Sequence, residues 1–330
     1  MSFDAMIKRL ALKPLALSAF IGLSVASADA SQIFVSNERD NTVTVLDSAT
    51  LALVKTITVG TRPRGIVISP DGREVLVCNG DSDNISVIDT GTLEVSRTID
   101  SGPDPETLAL SPNGDVIYVS NENDSMVTLL DRAAGTVLAR VPVGIEPEGL
   151  TVSADNRTVV DVSESTSMAH FIDVATRSVI ANVLVDTRPR VAEYSRDGHD
   201  VWVTSEVGGT VAVIDATSHQ VAHKIAFDIP GVRQELISPV GLRFNLDGTL
   251  AFVALGRANR VAVIDTATFK VVKYLLVGNR VWQLALSPDG RTLYATNGLT
   301  NDLSVIDVVD LRTIRSVPVG RLPWGLVIRP

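Results

Sequence analysis

Three periodic features of the sequence predict an all-β fold closed into a ring of seven four-stranded units, a seven-bladed β-propeller. The first is a strand ending in Val-Ile-Asp or a close variant. Its aspartates, Asp47, Asp89, Asp131, Asp173, Asp215, Asp265 and Asp307, are spaced by 42 residues except for one step of 50. The second is a mark that closes the next strand: Gly60, Gly102, Gly144, Asp186, Asp228, Gly278 and Gly320. The third is a proline ahead of an apolar run: Pro63, Pro105, Pro147, Pro189, Pro239 and Pro323, with Val281 in the remaining place. A period near forty that holds four strands is the mark of a propeller, and seven aspartates imply seven blades.

The chain opens with Lys8, Arg9 and Lys13, an apolar run from Leu15 to Ala26, and Ala28-Asp29-Ala30. A basic start, a short apolar middle and an A-x-A end describe a secretory signal peptide. The expectation is therefore a leader over 1–30, cleavage after Ala30, a single propeller domain over 31–330, and a periplasmic or secreted location. Ile33-Phe34-Val35 then matches the second strand of the unit, and Trp324-Gly325-Leu326-Val327-Ile328 at the other end matches the first. The last strand is expected to complete the first blade and close the ring, which leaves few free sheet edges.

Pro105–Gly144 shows one whole unit. Leu108-Ala109-Leu110, Val116 to Val119, Val127 to Leu130 and Val137 to Val143 are strand-like runs separated by Ser111-Pro112-Asn113-Gly114, Ser120 to Asp124 and a turn after Asp131. Short β-branched and aliphatic runs between Pro/Gly/Asn/Asp clusters read as strands and turns. The Ser-Pro-Asp-Gly turns at 69–72 and 287–290 suit tight hairpins, since proline presets φ and glycine accepts a positive one. The repeated aspartates read as turn acceptors, because a functional site would not recur seven times.

Tyr118-Val119-Ser120-Asn121, Tyr294-Ala295-Thr296-Asn297 and Phe34-Val35-Ser36-Asn37 resemble the motif of the YVTN family of β-propeller repeats. The resemblance extends over nearly all of 31–330. The whole sequence is also similar to the periplasmic β-propeller proteins associated with PQQ-dependent alcohol catabolism. That likeness implies a propeller fold and a role beside a quinoprotein dehydrogenase or its cytochrome.

Function in a repeat protein is sought where the copies differ. The residues after the periodic prolines are expected around the channel mouth: Trp324, Arg64, Glu106, Glu148, Arg190, Val240 and Trp282. Asp104, Glu106, Glu146 and Glu148 form an acidic sector, joined by Asn121, Glu122 and Glu164 from the loops between second and third strands. Arginines flank it. One reading is that these charges pair across blade boundaries and seal the ring; the other is a polar, ligand-sized funnel. The step of 50 marks an insertion near Asp228–Ile237 on the same face, either a surface loop or a lid.

The chain has 330 residues and a formal charge of −9; losing the leader's three basic and two acidic residues gives −10. An acidic chain without a Lys/Arg run is a poor nucleic-acid binder. Cys78 alone excludes an internal disulfide. His170, His199, His219 and His223 fall at positions that other residues fill in other blades and read as peripheral. Asp81-Ser82-Asp83-Asn84 is a weak hard-cation turn. No metalloprotease, serine-elbow, haem-attachment or phosphate-loop motif is present. The leading expectation is a non-enzymatic, monomeric accessory propeller tied to PQQ-dependent alcohol oxidation, with PQQ held by Arg64 and Arg190 and stacked on Trp282 or Trp324. Two alternatives stand beside it. One is a lactonase-like hydrolase whose divalent cation is held by Glu106, Glu148 and Asn121. The other is a protein-docking scaffold.

Overall fold

The computed structural model describes residues 31–329, so the leader expected at 1–30 lies outside the described residues. Seven four-stranded antiparallel sheets make a seven-bladed β-propeller. Blade 2 is typical: its strands are Pro63–Ile68, Glu74–Asn79, Asn84–Asp89 and Glu94–Asp100. Among the described residues the remaining regular structure is three 3-10 turns, at Gly80–Ser82, Gln234–Leu236 and Gly256–Ala258. Blades 3 to 7 follow in chain order, and blade 1 is composite. In it, Pro323–Arg329 pairs antiparallel with Gln32–Asn37, which continues into Thr42–Asp47 and Leu53–Thr58. Ser31 Oγ donates to the Arg329 carbonyl at 2.6 Å and ties the junction.

The period-two burial of a half-covered sheet is missing from the second and third strands of each blade. Ile33 to Asn37 and Val43 to Leu46 are buried without a break, because neighbouring blades cover both faces. Packing there joins adjacent blades: Leu76, Cys78 and Val87 of blade 2 share one cluster with Leu108, Ile117 and Val119 of blade 3. The outer strands alternate and meet water, as in Glu94–Asp100. Each Val-Ile-Asp aspartate accepts backbone N–H groups of its turn; Asp89 Oδ1 takes those of Gly91 and Thr92 at 3.0 and 2.8 Å.

Inner strands crowd the axis. A Cβ on Gly65 would lie 2.6 Å from the Thr107 Cα and 2.7 Å from the Glu106 carbonyl oxygen. One on Gly325 would lie 2.7 Å from the Arg64 carbonyl oxygen. Glycine is required where the backbones come this close.

Two devices aim the mouth. Five of the six residues before the periodic prolines (Arg62, Asp104, Glu146, Arg188 and Leu322) and Arg280 before Val281 have φ between 48° and 61°. That left-handed geometry costs a non-glycine residue about 1 kcal/mol. Just after it, strand pairing slips: the register shifts between Pro63 and Ile66, Pro105 and Thr107, Pro147 and Leu150, and Pro189 and Val191. Such bulges re-aim side chains.

The insertion near Asp228–Ile237 is neither free lid nor loose loop. Ile229 and Ile237 are buried with Val211, Leu242, Leu255 and Ala258, and Val232 packs beside them. It caps the junction of blades 5 and 6.

Candidate functional site: a charged mouth

The bulged positions bring arginines and carboxylates together across blade boundaries, as the sealing reading expects. Two networks result. In the first, Arg64 of blade 2 sends Nη1 to Glu106 Oε2 at 2.6 Å and Nε to Glu38 Oε2 at 3.0 Å. Arg62 sends Nη1 to Glu106 Oε1 at 2.7 Å and Nε to Asp81 at 2.8 Å, and its Nη2 contacts Asp104. In the second, Arg190 of blade 5 pairs with Glu148 at 2.9 Å and contacts Glu164. Arg188 reaches Glu164 at 2.7 Å. Arg280 of blade 7 crosses blade 6, where Val240 offers no charge, and meets Glu206 at 2.6 Å. Trp282 lies under these cations: the Arg280 Cζ is 3.8 Å and the Arg190 Cζ 5.4 Å from its ring centre.

Burial sorts the protons. Glu106 is fully buried, but Arg64 and Arg62 outweigh that cost and hold its carboxyl below the usual range. Glu122 hydrogen-bonds Glu106; burial, that bond and the Glu106 charge push it up to about 7. Glu148 is also pushed up to about 7, by burial first, because Arg190 is shared among three carboxylates and Glu106 adds repulsion. Burial likewise opposes the Arg64 charge, yet Glu106, Glu148 and Glu38 more than compensate and hold it protonated.

An open pocket of about 390 Å³ borders this cluster, lined by Glu122, Glu146, Glu164, Ser165, Thr187 and Arg188 with Val207 at one wall. The Arg188 side chain is 49% exposed, against 5% for Arg190. Glu122 and Arg188 thus face the same space, with a carboxyl that titrates near neutrality opposite an accessible guanidinium.

Several expected roles change. Trp324 is 3% exposed and stacks behind Trp282 with ring centres 6.4 Å apart, so it offers no open face for a quinone. Asn121 is buried; its Nδ2 donates to the Pro103 carbonyl and its Oδ1 accepts from Thr128. It belongs to the scaffold, like Asn37, Asn79 and Asn297 at the same repeat position. In the expected cation set of Glu106, Glu148 and Asn121, the Asn121 amide is already committed to these scaffold bonds. Asp104, Glu106 and Glu122 do lie within 4.8 Å of one another, but Arg62 and Arg64 already occupy that cluster. The Asp81 turn is no cation loop: Asp81 takes Arg62 and Asp83 takes the Asp104 N–H. His170 is buried rather than peripheral, accepting from the Gly144 N–H at Nε2 and meeting Asn182 Oδ1 at Nδ1.

Two members of the networks, Glu38 and Glu206, escape a proline-centred reading. They recur with Glu122 and Glu164 in the 42-residue rhythm, one position after the buried Asn or Ser that ends the second strand. That alignment is the signal that finds them. Asp161 was also missed. It stands where Val77 and Val119 stand in other blades, is fully buried, and accepts Ser120 Oγ at 2.7 Å.

These features define a class: a seven-bladed propeller with a polar, ion-paired mouth bordered by an open pocket of carboxylates and arginine. Comparison with known proteins agrees on the fold. Residues 6–123 match the family model described as YNCE-like beta-propeller. No curated protein matches the chain. Among solved structures it is similar to Kuenenia stuttgartiensis hydrazine synthase, with 22% identity over 84% of this chain and 92% of that one and a TM-score of 0.77. It is similar to the periplasmic gluconolactonase PpgL of Pseudomonas aeruginosa, with 19% identity over 91% and 99% and a TM-score of 0.76. It is also similar to a putative 6-phosphogluconolactonase of Bacteroides fragilis, with 16% identity over 92% and 99% and a TM-score of 0.76.

The expectation of a non-enzymatic accessory protein in PQQ-dependent alcohol oxidation is corrected by these findings. All three structures carry the names of enzymes, and none is named for PQQ or alcohol oxidation. The geometry agrees with the correction, because Arg64 and Arg190, the expected seats for a tricarboxylate, are committed to internal carboxylates.

Proposed function

We propose that the mouth pocket is a metal-free acid-base site that hydrolyses small hydroxylated lactones. The observation that carries this reading is the Glu106–Glu122 pair, which holds a proton up to about 7 beside a pocket also lined by Arg188. The lactonase names among the similar structures supply the substrate class. As ionised Glu122 takes a proton from water, the water oxygen attacks the lactone carbonyl carbon. The oxyanion that forms faces Arg188. The ring C–O bond then breaks, and the leaving oxygen takes the proton back from Glu122, giving the hydroxy acid. Ser165 and Thr187 offer hydroxyls to the ligand's own, and Val207 an apolar wall.

A general base of this kind contributes about 10²-fold or more. Glucono-δ-lactone hydrolysis by purified 31–330, corrected for the spontaneous rate, is expected to exceed buffer, and Glu122→Gln to lose that factor. The base works ionised, so kcat/KM rises with pH through about 7. A chelator is expected to leave the rate unchanged, because guanidinium groups and not a cation balance the carboxylates. A rate equal to buffer across a lactone panel would sink the proposal. Export remains part of it, on the leader-like start; a chain that begins at Met1 after fractionation would reject that part.

A further inference from the structure

Below the mouth, a half-open cavity of about 90 Å³ lies among the inner strands, and its lining includes Thr107, Arg243, Gln283 and Trp324 together with Gly65 and Gly149. We propose that this throat binds a small planar oxyanion of the formate or bicarbonate class. Three observations carry the idea.

The first is an orphan donor. The Trp324 side chain is almost wholly buried, and its Nε1 has no acceptor among the described residues. An indole N–H can only donate, and buried polar groups are normally paired. The second is the balance of donors. Arg243, which lines the cavity, is tethered through Nη1 to Glu193 Oε2 at 2.5 Å and to the Leu242 carbonyl at 3.0 Å, which leaves its Nε and Nη2 donors uncommitted. The Gln283 amide adds two more donors against one acceptor. A site with surplus donors suits a ligand rich in acceptors.

The third is size and charge. The space is smaller than the roughly 150 Å³ of a cavity that holds benzene, which suits a four-atom oxyanion better than a sugar ring. Glu193 offsets the Arg243 charge, so a singly charged ion fits better than sulfate or phosphate. This throat site stands apart from the hydrolytic reading of the mouth, since it uses neither Glu122 nor Arg188.

Calorimetric titration of the purified chain with sodium formate and with bicarbonate, at constant ionic strength, tests it. Saturable binding is expected, weakened at least tenfold in Trp324→Phe, which keeps an aromatic ring and removes the N–H, and in Arg243→Gln. Arg312→Gln, on the exposed outer strand of blade 7, is expected to bind as the unaltered chain does. The proposal is overturned by absence of saturable heat through the millimolar range, by sulfate binding as tightly as formate, or by full binding in both throat variants. Because the readout is binding, it succeeds or fails independently of lactone hydrolysis.

Discussion

Glu148 shows what the mouth costs and where that cost falls on the pH scale. Its carboxyl is 2% exposed and pushed up to about 7, against a usual 4.5. A raised carboxyl pKa means that the folded state holds the proton more tightly than the unfolded chain does. The resulting stability is fully present below pH 4.5 and is lost as pH rises through about 7. Glu148→Gln keeps the shape and an acceptor for Arg190 but removes the titration. Relative to the unaltered chain it is expected to gain up to about 3 kcal/mol between pH 4.5 and 8; denaturation midpoints that run parallel across that range would contradict this. Arg190→Leu acts the other way, leaving Glu148, Glu164 and Glu206 without their shared cation. Breaking a buried pair costs about 3–5 kcal/mol, so a denaturant midpoint close to that of the unaltered chain would count against the network. The charges themselves were legible in the sequence, since departures from the repeat flagged them. Their partners were not, because Arg280 finds Glu206 only by crossing a whole blade in space.

Strands were the easiest element to read. Runs of Val, Ile and Leu between Pro-Gly and Asn-Asp clusters place nearly every one, and the aspartate turns form as the repeat implies. Side-chain direction at the head of the inner strand was less legible. Alternation would send the residue after each proline straight into the channel, but a bulge follows the proline and turns it toward the next blade. This is why Trp324 is buried where an open ring was expected. The inner strands also depend on glycine. Gly65→Ala places a methyl against the Thr107 backbone, and overpacking of this kind costs about 1–3 kcal/mol. A melting temperature equal to that of the unaltered chain would show that the axis has more slack than these distances allow.

At the scale of the ring, the seven-fold count and the half-blades at either end came directly from the periodicity of the aspartates. Pocket chemistry did not, because it depends on which blades adjoin and on how deeply each charge is buried. Closure rests on the strand Pro323–Arg329, which supplies the inner edge of blade 1 and buries Leu326 with Ile33 and Val35. Ending the chain at Arg321 would strip that edge and uncover Phe34 and Val35. The expected result is a large fall in melting temperature, reversed in part by a synthetic peptide of residues 322–330; an unchanged melt would refute closure as a source of stability. The same junction decides how the molecule can be handled. Ser31 and Arg329 meet at the ends of their strands farthest from the mouth. An affinity tag, surface anchor or fusion partner joined directly to Ser31 or Arg329 would therefore leave from the opposite face, so an immobilised layer of this protein would present its pocket to the flowing solution.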